Sequence, residues 1–529
     1  MLPQFPFSRS QHVRSWSNYL GTISGKEIPL HVTPDVTDEI GGADRPSLLG
    51  RHGTALRATL GYAFEHGLNL RMRGSRWSAS NVLEPSHIML DLANLRGASL
   101  VNRNWVSESY RLGRLPTGHR PVLAMAGTRI AELHHRLEEV NLALQTSSSS
   151  NGQRVAGCIA TGCHGSAIGV GGLHDTVLAL HLMTGPNRCI LLQPATNRAL
   201  GGELAVWLGE QTGIPTEDVV DDDLFAAAQV ALGSLGVVLG VVLEAVPLYR
   251  LKRRITALAG NDPKVWSAIQ TMDTRPLHPD TDEQPHHFEV VLSPYPVRGR
   301  NGAFVQMYWK QPAEEVPPLL LGTDARMSSE LMGLVGSLSF VVDEGFSGSI
   351  LRTVLQEQLE RRYPSQEVSG LLPGEAFGGG LLPEGHGITT EIAVCQQHAS
   401  LAARTVLNVL GEQAGHGRHM LGGVLLRFAP ESRSLLGMNR HSNTCFIEMP
   451  AVRNEEVVLI YRACWAALKK EGVPFTCHWG QVHELTSQRV KEYYGERVQR
   501  WVDARARLLP SVEARAVFAT PLLDDVGLG

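Results

Sequence analysis

Residues 142–172 read LALQTSSSSNGQRVAGCIATGCHGSAIGVGG, and the reading of this stretch decides the fold. The apolar run Leu142-Ala143-Leu144 breaks into the serines Ser147 to Ser150 and then into closely spaced glycines. From Val155 to Ser166 small residues stand wherever backbone N–H groups would have to approach an anionic ligand. Glycine permits that approach because it lacks Cβ and tolerates positive φ. The same composition also describes a plain mobile connection, so the neighbouring segments carry the decision.

Upstream, Leu56, Leu60, Ala63 and Phe64 recur at helical spacing until Gly67. Leu68 to Arg73 then alternates apolar with polar, Gly74 to Ser80 turns the chain, and Ile88 to Leu92 forms a second strand. Pro121 to Gly127 reads as a buried strand, with Thr128 as N-cap of a helix through Leu133, Leu137 and Val140. Downstream, 176–183 and 188–193 pair across a Gly-Pro turn, and 221–229 forms a short amphipathic helix. The β-branched run Val237 to Leu243 makes a buried strand that ends at Pro247. From about Leu251 long strands (287–292, 303–309, 422–428, 443–449) alternate with helices near 327–339, 398–412 and 454–470. Residues 343–388, with Gly378-Gly379-Gly380, read either as a lid or as an ordinary surface loop.

A chain of 529 residues, 43% of them hydrophobic, buries a large core and divides into two or more domains. The net charge of −4 is spread along the chain, which leaves no basic footprint for nucleic acid. The first residues show no apolar core of a secretory leader. Gly233 to Leu248 is interrupted by Glu244 and Pro247 and falls short of the roughly 20 apolar residues of a membrane span. Seven cysteines form no CxxC pair and no metal-ligand spacing, so no metal is expected. Reduced thiols in a soluble cytoplasmic protein are the expectation. The sequence carries no signal for an oligomeric state.

Four segments, in order, resemble the vanillyl-alcohol-oxidase superfamily of FAD-dependent oxidoreductases, in particular its sugar-lactone and alditol oxidase branch. Gly74-Ser75-Arg76-Trp77-Ser78 stands where that branch has Gly-x-Gly-His-Ser, and Val155 to Ser166 resembles its VAGxxATGTHGSG. Leu232 to Val238 resembles its LGxLGV, and Cys477 to His483 its PHWGK. The match spans nearly the whole chain. It implies an α+β fold: a two-subdomain FAD-binding domain with loop-mediated pyrophosphate binding (1–250), an α+β cap or substrate domain (251–474), and a C-terminal segment returning to the FAD domain (475–529). The cofactor-binding residues it implies are Arg73, Gly74, Ser75, Arg76, Trp77, Ser78, Ser148, Ser149, Gly157, Thr161, Gly162, Cys163, His164, Val238 and His478. Converging N–H donors of two glycine-bearing loops are expected to neutralise the pyrophosphate without lysines.

The departures are as informative as the matches. Trp77 replaces the histidine that carries covalent FAD in many members, and an indole cannot form that bond, so FAD is expected to be non-covalent. Cys158 and Cys163 read as small packing residues or, alternatively, as a thioether site. Where the branch places substrate-side groups, this chain has Leu425 and Arg427 on the Glu-x-Arg strand, Glu448 for a histidine, Gln481 for the lysine and Ser149 for the serine. Ser148 falls where the branch controls oxygen access, and its small side chain leaves room for dioxygen. Arg427 can stabilise negative charge developing on oxygen, and Glu448 can accept the hydroxyl proton. The competing role for Glu448 is an ion pair with Arg427 or another arginine. His483 is a second candidate base, and Glu391 matches a cap-strand glutamate. His478 matches a histidine at the flavin's pyrimidine edge. The implied activity is hydride removal from a C–OH or C–NH group to flavin N5, with dioxygen as acceptor. The alternatives are an oxidative tailoring enzyme of a specialised metabolite, or a flavin-binding protein whose redox activity has lapsed.

Overall fold

The computed structural model of the chain describes residues 2–34, 48–148, 150–316, 338, 348–377 and 384–529. Ser149, the run Gly378 to Gly380 and most of the helix expected near 327–339 lie outside the described residues. Helices and three sheets make up the rest, an α+β architecture.

The first sheet holds β1 (Ser8–Trp16), β2 (Lys26–Pro34), β3 (Leu70–Arg73) and β4 (Ile88–Asp91) in the order β1-β2-β4-β3. Strands β3 and β4 run parallel, joined by the turn that begins at Gly74. The second sheet holds β5 (Ala98–Leu100), β6 (Arg120–Met125), β7 (Leu142–Leu144), β8 (Val177–Gly185), β9 (Arg188–Gln193), β10 (Thr216–Val220) and β11 (Val237–Pro247). β11 is its spine, antiparallel to β6, β7 and β8. Its β-branched side chains are buried on both faces, which suits a central strand.

The third sheet has eight strands: β12 (Tyr249–Leu258), β13 (His287–Leu292), β14 (Ala303–Pro312), β15 (Gln366–Leu371), β16 (Gly387–Cys395), β17 (Val424–Pro430), β18 (Asn443–Val452) and β19 (Phe475–Cys477). Their order is β15-β12-β14-β13-β17-β18-β16-β19. Register then fixes what faces the site. Glu289 stands opposite Arg427, Arg427 opposite Phe446, Leu425 opposite Glu448, and Glu448 opposite Glu391. Side chains two apart on a strand share a face, so all of these project from one side of the sheet.

The stretch 142–172 ties two sheets together. It leaves the second sheet through β7 and reaches the third at Ser166, whose carbonyl accepts from Phe288 N–H (3.2 Å) and whose hydroxyl accepts from Phe428 N–H (2.9 Å). Residues Val155–Ala160 are helical, not a loop as expected. Alanine, cysteine and isoleucine tolerate the helix, and Gly162 ends it at φ +74°. Thr128 does not cap the preceding helix, which starts at Ile130; its hydroxyl instead exchanges hydrogen bonds with the backbone of Gly97.

The C-terminal segment begins on the third sheet's edge, where Cys477 pairs with Ile392, before its helices cross to the other two sheets. Trp501 Nε1 donates to Ala227 O (3.2 Å), and Asn69 Nδ2 donates to Ala516 O (2.6 Å). Among the described residues no helix is long and apolar enough to cross a membrane.

Gly165 lies where the stretch doubles back on itself. A Cβ there would sit 2.4 Å from Ser147 O, a backbone atom that has no room to move. Gly165→Ala is therefore expected to lower stability by about 2 kcal/mol, read from urea unfolding of the FAD-loaded protein; a change below about 0.5 kcal/mol would show that the fold-back is not tight.

Candidate active site

A cavity of about 220 Å³ opens between the turn 74–78, the helix 155–160 and the polar face of the third sheet. Its wall at the first sheet is set by an unusual turn. Arg76 stands in the left-handed region at φ +62°, a conformation that favours glycine and costs an arginine about 1 kcal/mol. It is held there by Tyr19 N–H, which donates to Arg76 O at 2.7 Å, while Arg76 Nη1 donates to Ser17 O at 2.9 Å. Next to it Trp77 stacks on Tyr19, ring centroids 4.8 Å apart and planes 8° from parallel. The segment 478–481 locks onto this turn through Ala79 N–H to Gly480 O (2.7 Å) and Ser80 Oγ to Trp479 O (2.5 Å).

Four arginines line this end: Arg71, Arg73, Arg76 and Arg154. Arg73 pairs with Asp91 and Arg76 with Glu384. Arg71 bonds only carbonyls in its immediate surroundings, those of Gly233, Val82 and Leu232, and burial lowers its guanidinium to about 10. Arg154 likewise bonds the carbonyls of Ala93 and Gly127, with its Nε buried and unpartnered. Two of the N–H groups at the start of the 155–160 helix are spent on Thr128 O and Ala126 O. The anion-binding character of this end thus rests on guanidinium charge more than on the N–H donors alone that were expected.

At the other end stands a buried charge cluster. Arg427, 3% exposed, donates from Nη2 to Glu391 Oε1 (2.6 Å) and to Glu448 Oε2 (2.5 Å). Glu391 is held on its far side by His164 Nε2 at 3.1 Å, and His164 Nδ1 faces Gly165 O at 2.9 Å. Glu448 Oε1 accepts from Gln481 Nε2 (3.1 Å) and lies 3.2 Å from Thr389 Oγ1. His478 accepts Gly480 N–H at Nδ1 (3.0 Å). The two carboxyls are driven apart. Burial would raise Glu391, but the charges of His164 and Arg427 outweigh it and hold the group well below its ordinary 4.5. For Glu448 burial wins over Arg427, and Glu391 adds to it, so the group rises above 4.5. The two neighbouring acids are thus shifted in opposite directions by their placement.

Of the residues expected at the site, Arg73 to Ser78, Ser148, Gly157, Thr161, Cys163, His164, Val238, Arg427, Glu448, His478 and Gln481 line this cavity. Ser149 lies outside the described residues. Gly162 is set back against Val230, where it serves the helix terminus. His483 does not line the cavity: its ring meets Trp479 edge-on at 6.4 Å, its Nδ1 accepts Leu485 N–H, and burial lowers it to about 4. The expectation missed Arg71, Arg154 and Thr389, and it gave Glu391 too small a part. The alternation Leu70-Arg71-Met72-Arg73 placed two arginines on one face and was the available signal.

The donor set fits FAD. Uncompensated guanidinium groups, with Arg154 Nε unpartnered, suit a diphosphate, and the position a Cβ would take on Gly157 is open space. His478 and Arg427 at the far end suit an electron-rich ring system. Among the described residues no His, Cys, Asp and Glu side chains gather as metal ligands.

Comparison with known proteins agrees. Residues 388–520 match the family ALO, D-arabinono-1,4-lactone oxidase. The chain is 22% identical over 457 residues to an L-gulono-1,4-lactone dehydrogenase of Mycobacterium tuberculosis, covering 86% of this chain and 90% of that one. It is 29% identical over 209 residues to D-arabinono-1,4-lactone oxidase of Yarrowia lipolytica, 39% of this chain and 33% of that one. Among solved structures, the cholesterol oxidase of B. sterolicum shares the fold with a TM-score of 0.68 at 11% identity, over 99% of both chains. A solvent-stable cholesterol oxidase does so with a TM-score of 0.66 at 14% identity, over 98% of both. Fold, cavity and likeness together define an FAD-dependent oxidoreductase. Within that class the chain is similar to the sugar-lactone oxidases of the vanillyl-alcohol-oxidase-type superfamily.

Glu391→Gln removes one anion from beside a buried arginine and should cost about 3 kcal/mol at neutral pH. Because the folded-state pKa of Glu391 is depressed, its contribution is present above pH 4.5 and is lost as pH falls below that value. Urea unfolding of both proteins should show the gap shrinking on the acid side; a gap independent of pH would refute the assignment.

Proposed function

We propose that the protein is an oxidase that takes a hydride from a carbinol or amine carbon of a small molecule, using non-covalently bound FAD. The observation that carries this reading is the Arg427–Glu448 pair facing the cavity, with the two carboxyls of the cluster shifted in opposite directions from the ordinary value. The chemistry supplied by bound FAD is acceptance of an electron pair as a hydride at N5 and its return to dioxygen as hydrogen peroxide. Residues 1–250 and 475–529 would hold it, and 251–474 would cover it.

Arg427 positions the substrate oxygen or nitrogen and stabilises charge that develops there. Glu448 takes the proton: its raised pKa makes it a better acceptor than an ordinary carboxylate, and Gln481 and Thr389 fix its second oxygen. Glu391 stays ionised and keeps Arg427 in place. Ser148 is small and its hydroxyl is turned onto Ser150 O (2.6 Å), which leaves the space beside it to dioxygen. Trp77, stacked on Tyr19, occupies the place of the histidine that tethers FAD in related enzymes, which supports a dissociable cofactor.

The relatives are named for lactones and a sterol. Here Leu425, buried beside Glu448 on the same face, replaces a carboxylate, and Gln481 replaces a lysine. A less polar alcohol, amine or ring is the substrate class that fits. The described free cysteines suit a reducing cytoplasm.

Acid precipitation of the yellow protein should leave flavin in the supernatant; flavin that sediments with the chain would refute non-covalent binding. A substrate that bleaches the flavin anaerobically should yield peroxide in air, and bleaching without reoxidation would identify a dehydrogenase. Arg427→Ala should slow flavin reduction by about 100-fold with little change in FAD affinity, and Arg427→Lys should recover part of the loss. In wild type the reduction rate should fall as pH drops through a value above 4.5, and Glu448→Gln should lose that limb; an unchanged profile would remove Glu448 as the base.

A further inference from the structure

The helix Val155–Ala160 ends in a Schellman motif. Cys163 N–H donates to Cys158 O at 2.9 Å and Gly162 N–H to Ile159 O at 3.1 Å, around the left-handed Gly162. This motif brings together the side chains two positions before the cap-adjacent pair and just beyond it, usually as an apolar contact. In this chain both positions are cysteine, so the motif sets the two side chains next to one another. A backbone held this close lies within the span of a disulfide. Both side chains line the cofactor cavity.

The two thiols are not equivalent. Cys158 is buried, whereas Cys163 is only half-buried and has the hydroxyl of Thr161 3.8 Å from its Sγ. The neighbouring Cys158, aided by His478, holds the Cys163 thiol well below its ordinary value against the pull of burial, and the same pairing pushes Cys158 up. By contrast, burial as the largest cause pushes Cys189, Cys464 and Cys477 up to about 12. A half-buried thiol of lowered pKa beside a second thiol that can resolve it is the arrangement of a peroxide-sensitive cysteine.

We propose that Cys158 and Cys163 form a peroxide-reactive dithiol in the wall of the cofactor cavity. Cys163 Sγ attacks one peroxide oxygen, the O–O bond breaks, and hydroxide leaves and takes up a proton as water, giving a sulfenic acid. Cys158 Sγ then attacks that sulfur, the S–O bond breaks, the disulfide forms, and a second water leaves with the thiol proton. Two thiols are oxidised by two electrons and one peroxide is reduced to two waters. The supply of peroxide inside the cavity rests on the oxidase reading above. Closure takes Cys163 away from His478, so accumulated product alters the site that made it, and an external thiol reductant restores the dithiol.

The two cysteines lie between Arg154 and Arg188, with no Lys or Arg between them, so one tryptic peptide reports both. FAD-loaded enzyme is titrated with hydrogen peroxide, alkylated, digested and weighed. Expected is an intrapeptide disulfide, two hydrogens lighter and closed to alkylation, formed near one equivalent of peroxide and before the other five cysteines react, and reversed by dithiothreitol. In Cys158→Ser the same treatment should add oxygens to Cys163 and form no disulfide. Full alkylation of both cysteines while others oxidise, or sulfinic acid at Cys163 in the unsubstituted protein without a disulfide, would overturn the proposal. A disulfide that forms with added peroxide but not during turnover would instead overturn the oxidase reading and leave the dithiol standing. A disulfide formed in turnover and abolished by catalase supports both.

Discussion

A guanidinium sealed inside a β-sheet needs anions around it, and most of the site exists to satisfy Arg427. Charges removed from water cost several kcal/mol each unless their partners and hydrogen bonds are nearly complete. Arg427 therefore requires Glu391 and Glu448, and each of these requires more. Glu391 needs His164, which is aimed by Gly165 O and by its stack on Phe446 at 3.5 Å. Gly165 can turn there only because it has no Cβ to strike Ser147. Glu448 needs Gln481, which arrives from the C-terminal segment on the same turn as His478. One buried cation thus ties the stretch 142–172, the middle of the third sheet and residues 478–481 into a single arrangement.

The cluster also explains how two carboxyls a strand apart can do different work. Glu391 faces both His164 and Arg427, with its remaining surface dry, so ionisation is enforced. Glu448 shares only part of Arg427 and receives the field of Glu391, so its proton is held more tightly. The difference comes from placement along the sheet, since both residues are glutamate and both are buried.

Most of the fold was legible because its signals are local. The β-branched run at 237–243, the helical spacing around Leu56 and the order of the four motifs each lie within one segment. The cofactor turn was legible for the same reason. What stayed hidden depends on register between strands distant in sequence. Nothing near Glu391 shows that it stands opposite Glu448, and nothing near Thr389 shows that it reaches Gln481. Arg71 and Arg154 escaped notice because their partners are carbonyls, which every residue has. The segment 155–160 was read as a loop because its glycine drew attention, yet its neighbours favour a helix and tertiary contacts settle it.

The replacements on the substrate side are coupled through the same register. The resemblance places a carboxylate at 425, two residues before the arginine on one strand, and there the chain has leucine. Position 448 stands directly opposite 425 on the next strand, and there the chain has glutamate where the resemblance places histidine. The carboxylate beside Arg427 thus stands one strand spacing, about 4.8 Å, from where the resemblance places it. From its new position it meets residue 481, where a lysine would pair with it and compete with Arg427; the uncharged amide of Gln481 instead gives it one hydrogen bond and leaves the ion pair to the arginine. Glu448 thus keeps an acid–arginine pair at the cavity from the strand next to Arg427, with Gln481 holding its other oxygen.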